Sequence, residues 1–100
     1  MPRTEPRLTT QTLKALAALM SDRNELSGAE IAQTTKLASG TLYPILLRLE
    51  QAKWVESRWE TEDPRELGRP RRRFYRITGL GAKKTRAAFH EMAILTEAFA

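Results

Sequence analysis

Ser39-Gly40-Thr41-Leu42-Tyr43-Pro44-Ile45-Leu46-Leu47-Arg48-Leu49-Glu50-Gln51-Ala52 is the stretch on which the fold turns. Leu42, Ile45, Leu46, Leu49 and Ala52 recur at helical spacing on one face, while Gly40, Thr41, Pro44, Arg48 and Gln51 lie around the other. Ser39 is the expected cap. Pro44 sits one turn inside, where a proline clashes with the carbonyl four residues back. That carbonyl belongs to Gly40, the residue easiest to distort, so the stretch reads as a helix with an irregular first turn rather than a break.

Immediately upstream, Ser27-Gly28-Ala29-Glu30 has the form of a capping box, with Ser27 serving the first free amides and Glu30 reaching back. The helix it opens is short, turns Ile31 and Ala32 inward, and ends near Thr34-Thr35-Lys36. Two helices joined this tightly form the helix-turn-helix arrangement, whose second member enters the major groove of DNA. Lys36, Ser39, Thr41, Tyr43 and Arg48 are then the candidate DNA contacts. Hydroxyls bond phosphates or base edges, and Arg48 can reach either. The competing reading is an ordinary packed helix pair in which Ser39 is only a cap.

Working outward, Met1 to Leu8 is a polar, Pro-bearing arm expected to be flexible. From Thr9 or Thr10 a first helix carries Leu13, Leu16, Ala17 and Met20 at helical spacing, and Ser21-Asp22-Arg23-Asn24 breaks it. Beyond Ala52, Trp54 to Glu60 alternates, with Val55, Ser57 and Trp59 opposed to Glu56, Arg58 and Glu60. Arg72 to Thr78 alternates again, and the polar loop between the two runs holds Pro64, Gly68 and Pro70. The pattern predicts an antiparallel hairpin. Thr78 is the expected cap of a last helix reaching nearly to Ala100. The predicted order is helix, helix, helix, strand, strand, helix.

Charge singles out the hairpin. The chain carries 17 Lys/Arg against 12 Asp/Glu, a net +5 that is weak evidence by itself. Its distribution says more: Arg69, Arg71, Arg72, Arg73 and Arg76 crowd together after Glu60, Glu62, Asp63 and Glu66. Guanidinium groups suit phosphate oxygens and narrow minor grooves, which makes Arg69, Arg71, Arg72 and Arg73 candidate DNA contacts. The alternative is an edge hairpin kept soluble by its charge. On the last helix, Thr85, Ala88, Met92, Leu95 and Phe99 follow a 3-4-3-4 spacing, the pattern of a helix packing on a partner helix. Ala88, Met92, Leu95 and Phe99 are the expected dimerisation residues, because little else remains to cover them.

Other chemistries find little footing. With 100 residues the chain is one domain's worth, and without cysteine it has neither a disulfide framework nor a thiolate metal site. No apolar run approaches the roughly 20 residues that span a bilayer, and the first ten residues lack a secretory signal's apolar core. His90 is the single histidine and cannot assemble a triad or a metal site by itself. The acids from Glu60 to Glu66 lack the fixed spacing of a calcium loop. Nothing in these residues suggests an enzyme, a cofactor or a membrane partner.

The run Gly40-Thr41-Leu42-Tyr43-Pro44-Ile45-Leu46-Leu47-Arg48-Leu49-Glu50, followed by Trp54-Val55-Glu56-Ser57-Arg58-Trp59-Glu60, closely resembles the PadR-like family of bacterial transcriptional regulators. Gly68-Arg69-Pro70-Arg71-Arg72-Arg73-Phe74-Tyr75-Arg76-Ile77-Thr78 is similar to that family's wing and its junction with the last helix. The resemblance, spanning roughly Ser27 to Gly81, implies a winged helix-turn-helix, a dimer built partly through the C-terminal helix, and usually repression at a palindromic operator. It also implies that Ser39, Thr41 and Tyr43 lie at the DNA-reading end and that Arg69, Arg71 and Arg72 line the wing. After Thr78 this chain departs from the family pattern with Gly79-Leu80-Gly81, two glycines that weaken a helix's first turn. Some short members bind flat aromatic ligands between subunits through a tryptophan on the last helix, where this chain has only Phe89 and Phe99.

The fold class expected is mostly α with a small β-hairpin. Residues 1–8 form the arm, 9–78 the winged helix-turn-helix and 79–100 a C-terminal dimerisation helix. The expected protein is a cytoplasmic, nucleoid-associated repressor whose partners are double-stranded DNA and a second copy of itself. Alternatives are a winged-helix module for protein contacts and a sensor holding a small aromatic effector at the dimer interface.

Overall fold

A computed structural model describes residues 5–21 and 25–98. Its elements are α1 (Thr10–Ser21), β1 (Leu26–Ser27), α2 (Gly28–Thr35), α3 (Ser39–Gln51), β2 (Val55–Trp59), α4 (Pro64–Leu67), β3 (Arg73–Ile77) and α5 (Gly79–Ala98). The mostly helical class and the helix order stand, and the expected hairpin gains a third strand. β1 pairs antiparallel with β3 through Leu26↔Tyr75 and Ser27↔Phe74, giving a sheet ordered β1-β3-β2. Two residues carry no periodicity, so β1 leaves no alternation to detect. The turn between β2 and β3 also holds α4, capped by Asp63 on the Arg65 amide at 2.9 Å and closed by Gly68 at φ 68°.

α1 is the hub, touching α2, α3, β3 and α5. Thr9 caps it, its hydroxyl accepting from the Thr12 amide at 3.2 Å. The expected stripe is displaced by one residue. Ala15, Leu16, Ala18 and Leu19 are buried, Leu13 and Met20 only half-buried, and Ala17 exposed. A helix surrounded by several elements buries a wide arc, and the small Ala15 and Ala18 let the neighbours approach. With Ile31, Leu42, Ile45, Leu46, Leu49, Trp54, Val55 and Tyr75 these residues make the core. Each fully buried large side chain contributes roughly 2–3 kcal/mol.

The Ser27 capping box forms as expected: the Glu30 amide donates to Ser27 Oγ at 3.1 Å and Ser27 N–H to Glu30 Oε1 at 3.0 Å. α3 runs unbroken through Pro44, and Gly40, whose carbonyl a proline four residues on leaves without its helical donor, is exposed. At its far end Lys53 adopts φ 67° and the Trp54 amide reaches back to the Leu49 carbonyl at 3.0 Å, a left-handed helix stop. Trp54 is thereby driven into the core.

α5 starts on that same corner. Thr78 N–H donates to the Trp54 carbonyl at 2.9 Å, and the Thr78 hydroxyl donates to the Lys53 carbonyl at 2.7 Å. The same hydroxyl accepts from the Gly81 amide at 3.0 Å, so Thr78 is the cap the sequence predicts. Only Gly81 and Thr85 of α5 are buried. Thr85 belongs to the protomer's own core rather than to a seam with a partner helix. Beyond Ala88 the helix leaves the body, in a molecule measuring 55 × 34 × 25 Å.

Candidate nucleic-acid interface

The turn between α2 and α3 is built by the four residues from Thr35 to Ala38. Thr35 is buried and donates its hydroxyl to the Ile31 carbonyl at 2.7 Å, while the same oxygen accepts from Leu37 N–H at 3.3 Å. Lys36 takes the left-handed conformation (φ 63°) that stops α2, leaving its side chain exposed at the corner. Ala38, not Ser39, occupies the cap of α3, and it offers no side-chain acceptor. Its extended backbone places its carbonyl to accept from the Thr41 and Leu42 amides, each at 2.9 Å. Ser39 is therefore the first helical residue, exposed, with its hydroxyl not spent on capping.

The candidate residues of α3 divide between two flanks. At 100° per residue Thr41 and Arg48 share one stripe, and Ser39, Tyr43 and Leu47 another. Arg48 stands roughly 13 Å along the axis from Ser39 and lines a cleft of about 620 Å³ with Arg7, Thr9, Thr12 and Gln51. Tyr43 faces the opposite way, toward the start of α2, where Gly28 makes room for it. A Cβ on Gly28 would overlap the Tyr43 hydroxyl and lie 2.8 and 2.9 Å from ring atoms Cε1 and Cζ. The structure thus brings Tyr43 toward the wing and leaves Arg48 apart from it.

In the wing, the acidic residues of the loop organise the basic ones. Glu60 receives both Nη atoms of Arg69, at 2.6 and 3.0 Å, and the Arg72 backbone amide at 2.7 Å. The Arg69 hydrogen bond is the main reason its carboxyl is lowered from 4.5 to about 2. Loss of water contact opposes that shift, and the Arg72 amide adds to it. A carboxylate lowered in the folded state stabilises it fully above its unfolded value and loses that contribution as the pH falls through the folded one. The clasp is complete above about pH 4.5 and opens as the pH drops toward 2. An NMR titration of the Glu60 side-chain carboxyl is expected to find a midpoint near 2, and Arg69→Ala to return it toward 4.5. A midpoint near 4.5 in the unsubstituted protein means that no clasp forms in solution.

Pairing thins the basic cluster. Arg69 is held by Glu60, Arg73 by Glu50 and Ser57, Arg76 by Glu56, and Arg58 by Glu25 at 2.7 and 2.8 Å. Arg71 makes one bond, from Nε to the Glu62 carbonyl at 2.9 Å, and keeps the rest of its guanidinium exposed. Neither Arg71 nor Arg72 makes an ion pair among the described residues, and both are exposed. Of the five clustered arginines, these two therefore keep a charge that no carboxylate compensates among the described residues.

These two arginines border a cleft of about 390 Å³ between the wing and the start of α2, whose walls include Gly28, Tyr43, Trp59 and Tyr75. Sequence reading does not single out Gly28 or Trp59 for this site. Trp59 signals itself only as an aromatic at the outward end of an alternating run, and it is 56% exposed. Desolvation raises the Tyr75 phenol above its ordinary value, so its ring enters as a neutral wall.

On α5, Ala88 is half-buried, and Phe89, Met92, Ile94 and Leu95 are exposed. Phe99, the last expected dimer residue, lies outside the described residues. Among the described residues no helix is long and apolar enough to cross a membrane, and no cluster of acids and histidine is placed to hold a metal.

The geometry has many solved counterparts. A PadR family transcription regulator from Clostridium difficile R20291 superposes with a TM-score of 0.75 at 21% identity, over 90% of this chain and 94% of that one. A PadR-like regulator from Bacillus cereus gives 0.69 at 20%, over 88% and 85%. At these identities the likeness establishes the winged-helix fold. Overoxidized AbfR, solved bound to DNA, gives 0.72 at 26% over 88% of this chain, which spans 60% of that protein's length. No curated protein matches the sequence. The family profile "Transcriptional regulator PadR-like family" matches residues 16–87, from the core of α1 through the wing into α5, and the chain belongs to that family.

Proposed function

We propose that this protein binds double-stranded DNA as a homodimer and represses transcription from a palindromic operator. The observation that carries the reading is the placement of Arg71 and Arg72. They lack carboxylate partners among the described residues, and they face the exposed ring of Tyr43 across one cleft. On this reading Ser39, Thr41 and Tyr43 meet base edges or phosphates in the major groove, with Lys36 on the backbone at the corner. Arg71 and Arg72 reach the phosphates or the minor groove beyond. Arg48 serves a flanking phosphate on the α1 side, and Arg69 acts by holding the wing in shape. Two wings related by a two-fold axis favour an inverted repeat with half-sites about one helical turn apart. A dimer seated on a promoter excludes polymerase, which makes repression the expected sign.

The test is a mobility-shift titration on the DNA upstream of the protein's own gene, at several salt concentrations. Tight, salt-sensitive and sequence-selective binding supports the reading. Absence of duplex binding at low salt removes it and favours docking of the basic wing on an acidic protein.

The dimer rests on α5. Met92, Ile94 and Leu95 are 45%, 53% and 54% exposed among the described residues, an apolar face that a second copy of α5 would cover. Leu95→Glu would bury a carboxylate against its symmetry mate at a two-fold seam and is expected to weaken the dimer by at least about 100-fold. Sedimentation velocity reads this directly. If the unsubstituted protein already sediments as a single protomer, α5 is not a dimer helix.

A further inference from the structure

Arg73 lies in the middle of the wing's basic run, yet its side chain turns back onto the body. Its Nε donates to Ser57 Oγ at 3.0 Å and its Nη2 approaches Glu50 Oε2 at 3.3 Å. The Ser57 hydroxyl shares its one hydrogen between the two Glu50 oxygens, at 2.8 and 2.9 Å. The guanidinium carbon stands 5.5 Å from the centre of the Trp59 ring and 5.9 Å from that of Tyr75. Arg73 is the first residue of β3, Ser57 lies in β2, and Glu50 in the last turn of α3. Three side chains thus tie the base of the wing to the far end of the recognition helix.

We propose that Arg73 is a positioning residue: through Ser57 and Glu50 it fixes the angle between wing and recognition helix, and so sets sequence selectivity without touching DNA. The proposal rests on the DNA-binding reading above. Two arguments carry it. A carboxylate in the last turn of a helix faces the negative end of the helix dipole, an unfavourable position that the Ser57 and Arg73 donors offset. Moreover, Glu50 lies about 16 Å along the helix axis from Ser39, so a tilt of about 10° moves the reading tip by about 3 Å, the length of a hydrogen bond. A helix and a wing that must enter neighbouring grooves together cannot absorb such a shift and keep their base contacts.

The experiment compares two duplexes, one that the protein itself selects from a random-sequence pool and the same bases in scrambled order. Arg73→Gln is expected to reduce the ratio of the two affinities about tenfold, with the salt dependence on either duplex unchanged. An arginine already neutralised by Glu50 displaces no counterion from DNA. Arg72→Gln is expected to do the reverse, lowering both affinities alike and the salt slope by about 0.9. Glu50→Gln should reproduce the loss of ratio and add little to Arg73→Gln in the double variant, while Arg73→Lys, still able to pair with Glu50, should retain most of it. A slope that falls with Arg73→Gln as it does with Arg72→Gln makes Arg73 a phosphate contact and overturns the proposal. Equal losses on both duplexes together with a lower melting temperature make its role purely structural and overturn it too. If Arg73→Gln does not fold, Ser57→Ala, which deletes one hydroxyl, decides, and an unchanged ratio is the negative result. Failure to select any duplex removes the DNA-binding reading itself, and this proposal with it.

Discussion

Replacing Arg71 and Arg72 together by Ala is expected to weaken binding to every duplex and to lower the slope of log affinity against log salt by about 1.8, since each neutralised phosphate contributes about 0.9. Raising the salt fourfold would then cost the unsubstituted protein about tenfold more affinity than the variant. The choice of residues follows from the pairing pattern and not from the count of arginines. Arg69, Arg73 and Arg76 are matched by Glu60, Glu50 and Glu56, so their charge is compensated before DNA arrives. Arg71 and Arg72 have no such partner among the described residues and keep their charge for phosphates. Fluorescence anisotropy on one fixed duplex at graded salt measures the slope. If it does not move, the wing is not at the DNA.

The largest expected effect on stability comes from a residue that touches no ligand. At Gly81 a Cβ would interpenetrate the Trp54 carbonyl oxygen and lie 2.8 Å from its carbon. That carbonyl is backbone and already accepts the Thr78 amide, so it cannot swing aside without breaking the start of α5. Gly81→Ala is expected to destabilise the fold by about 3 kcal/mol, the upper part of the range for overpacking, and to lower Tm by roughly 12 °C or more. Gly79, two residues earlier, has nothing within 4 Å of the equivalent position. Gly79→Ala should leave the fold intact or stabilise it by about 0.5 kcal/mol. Thermal unfolding of the pair isolates the close approach from helix propensity. Similar Tm values for the two variants would mean that α5 does not seat on Trp54 as described.

The two glycines after Thr78 illustrate how far local rules reach. Propensity alone makes Gly79-Leu80-Gly81 a weak start for a helix. The structure keeps that cost and supplies its reason at Gly81, where two backbones meet with no room for a side chain. Gly28 is a parallel case, its missing side chain giving Tyr43 a seat. Neither reason is visible along the chain, because the partner atoms lie 27 residues away for Gly81 and 15 for Gly28.

What the sequence determined by itself is what neighbouring residues decide among themselves. The Ser27 capping box, the stripe of Leu42, Ile45, Leu46 and Leu49, the alternation of Val55 to Trp59 and the Thr78 cap all depend on spacings of a few residues, which the helix and strand periods fix. The tertiary structure decided the rest: that Ala38 and not Ser39 opens α3, that α1 buries a stripe one residue earlier, that Leu26 and Ser27 add a strand, and which arginines of the wing stay unpaired. The last three of these depend on contacts between residues distant in sequence, and the first on a turn whose backbone conformation no periodicity records. A carboxylate neutralises whichever guanidinium the fold brings within about 3 Å of it, and a list of charges holds no record of that distance.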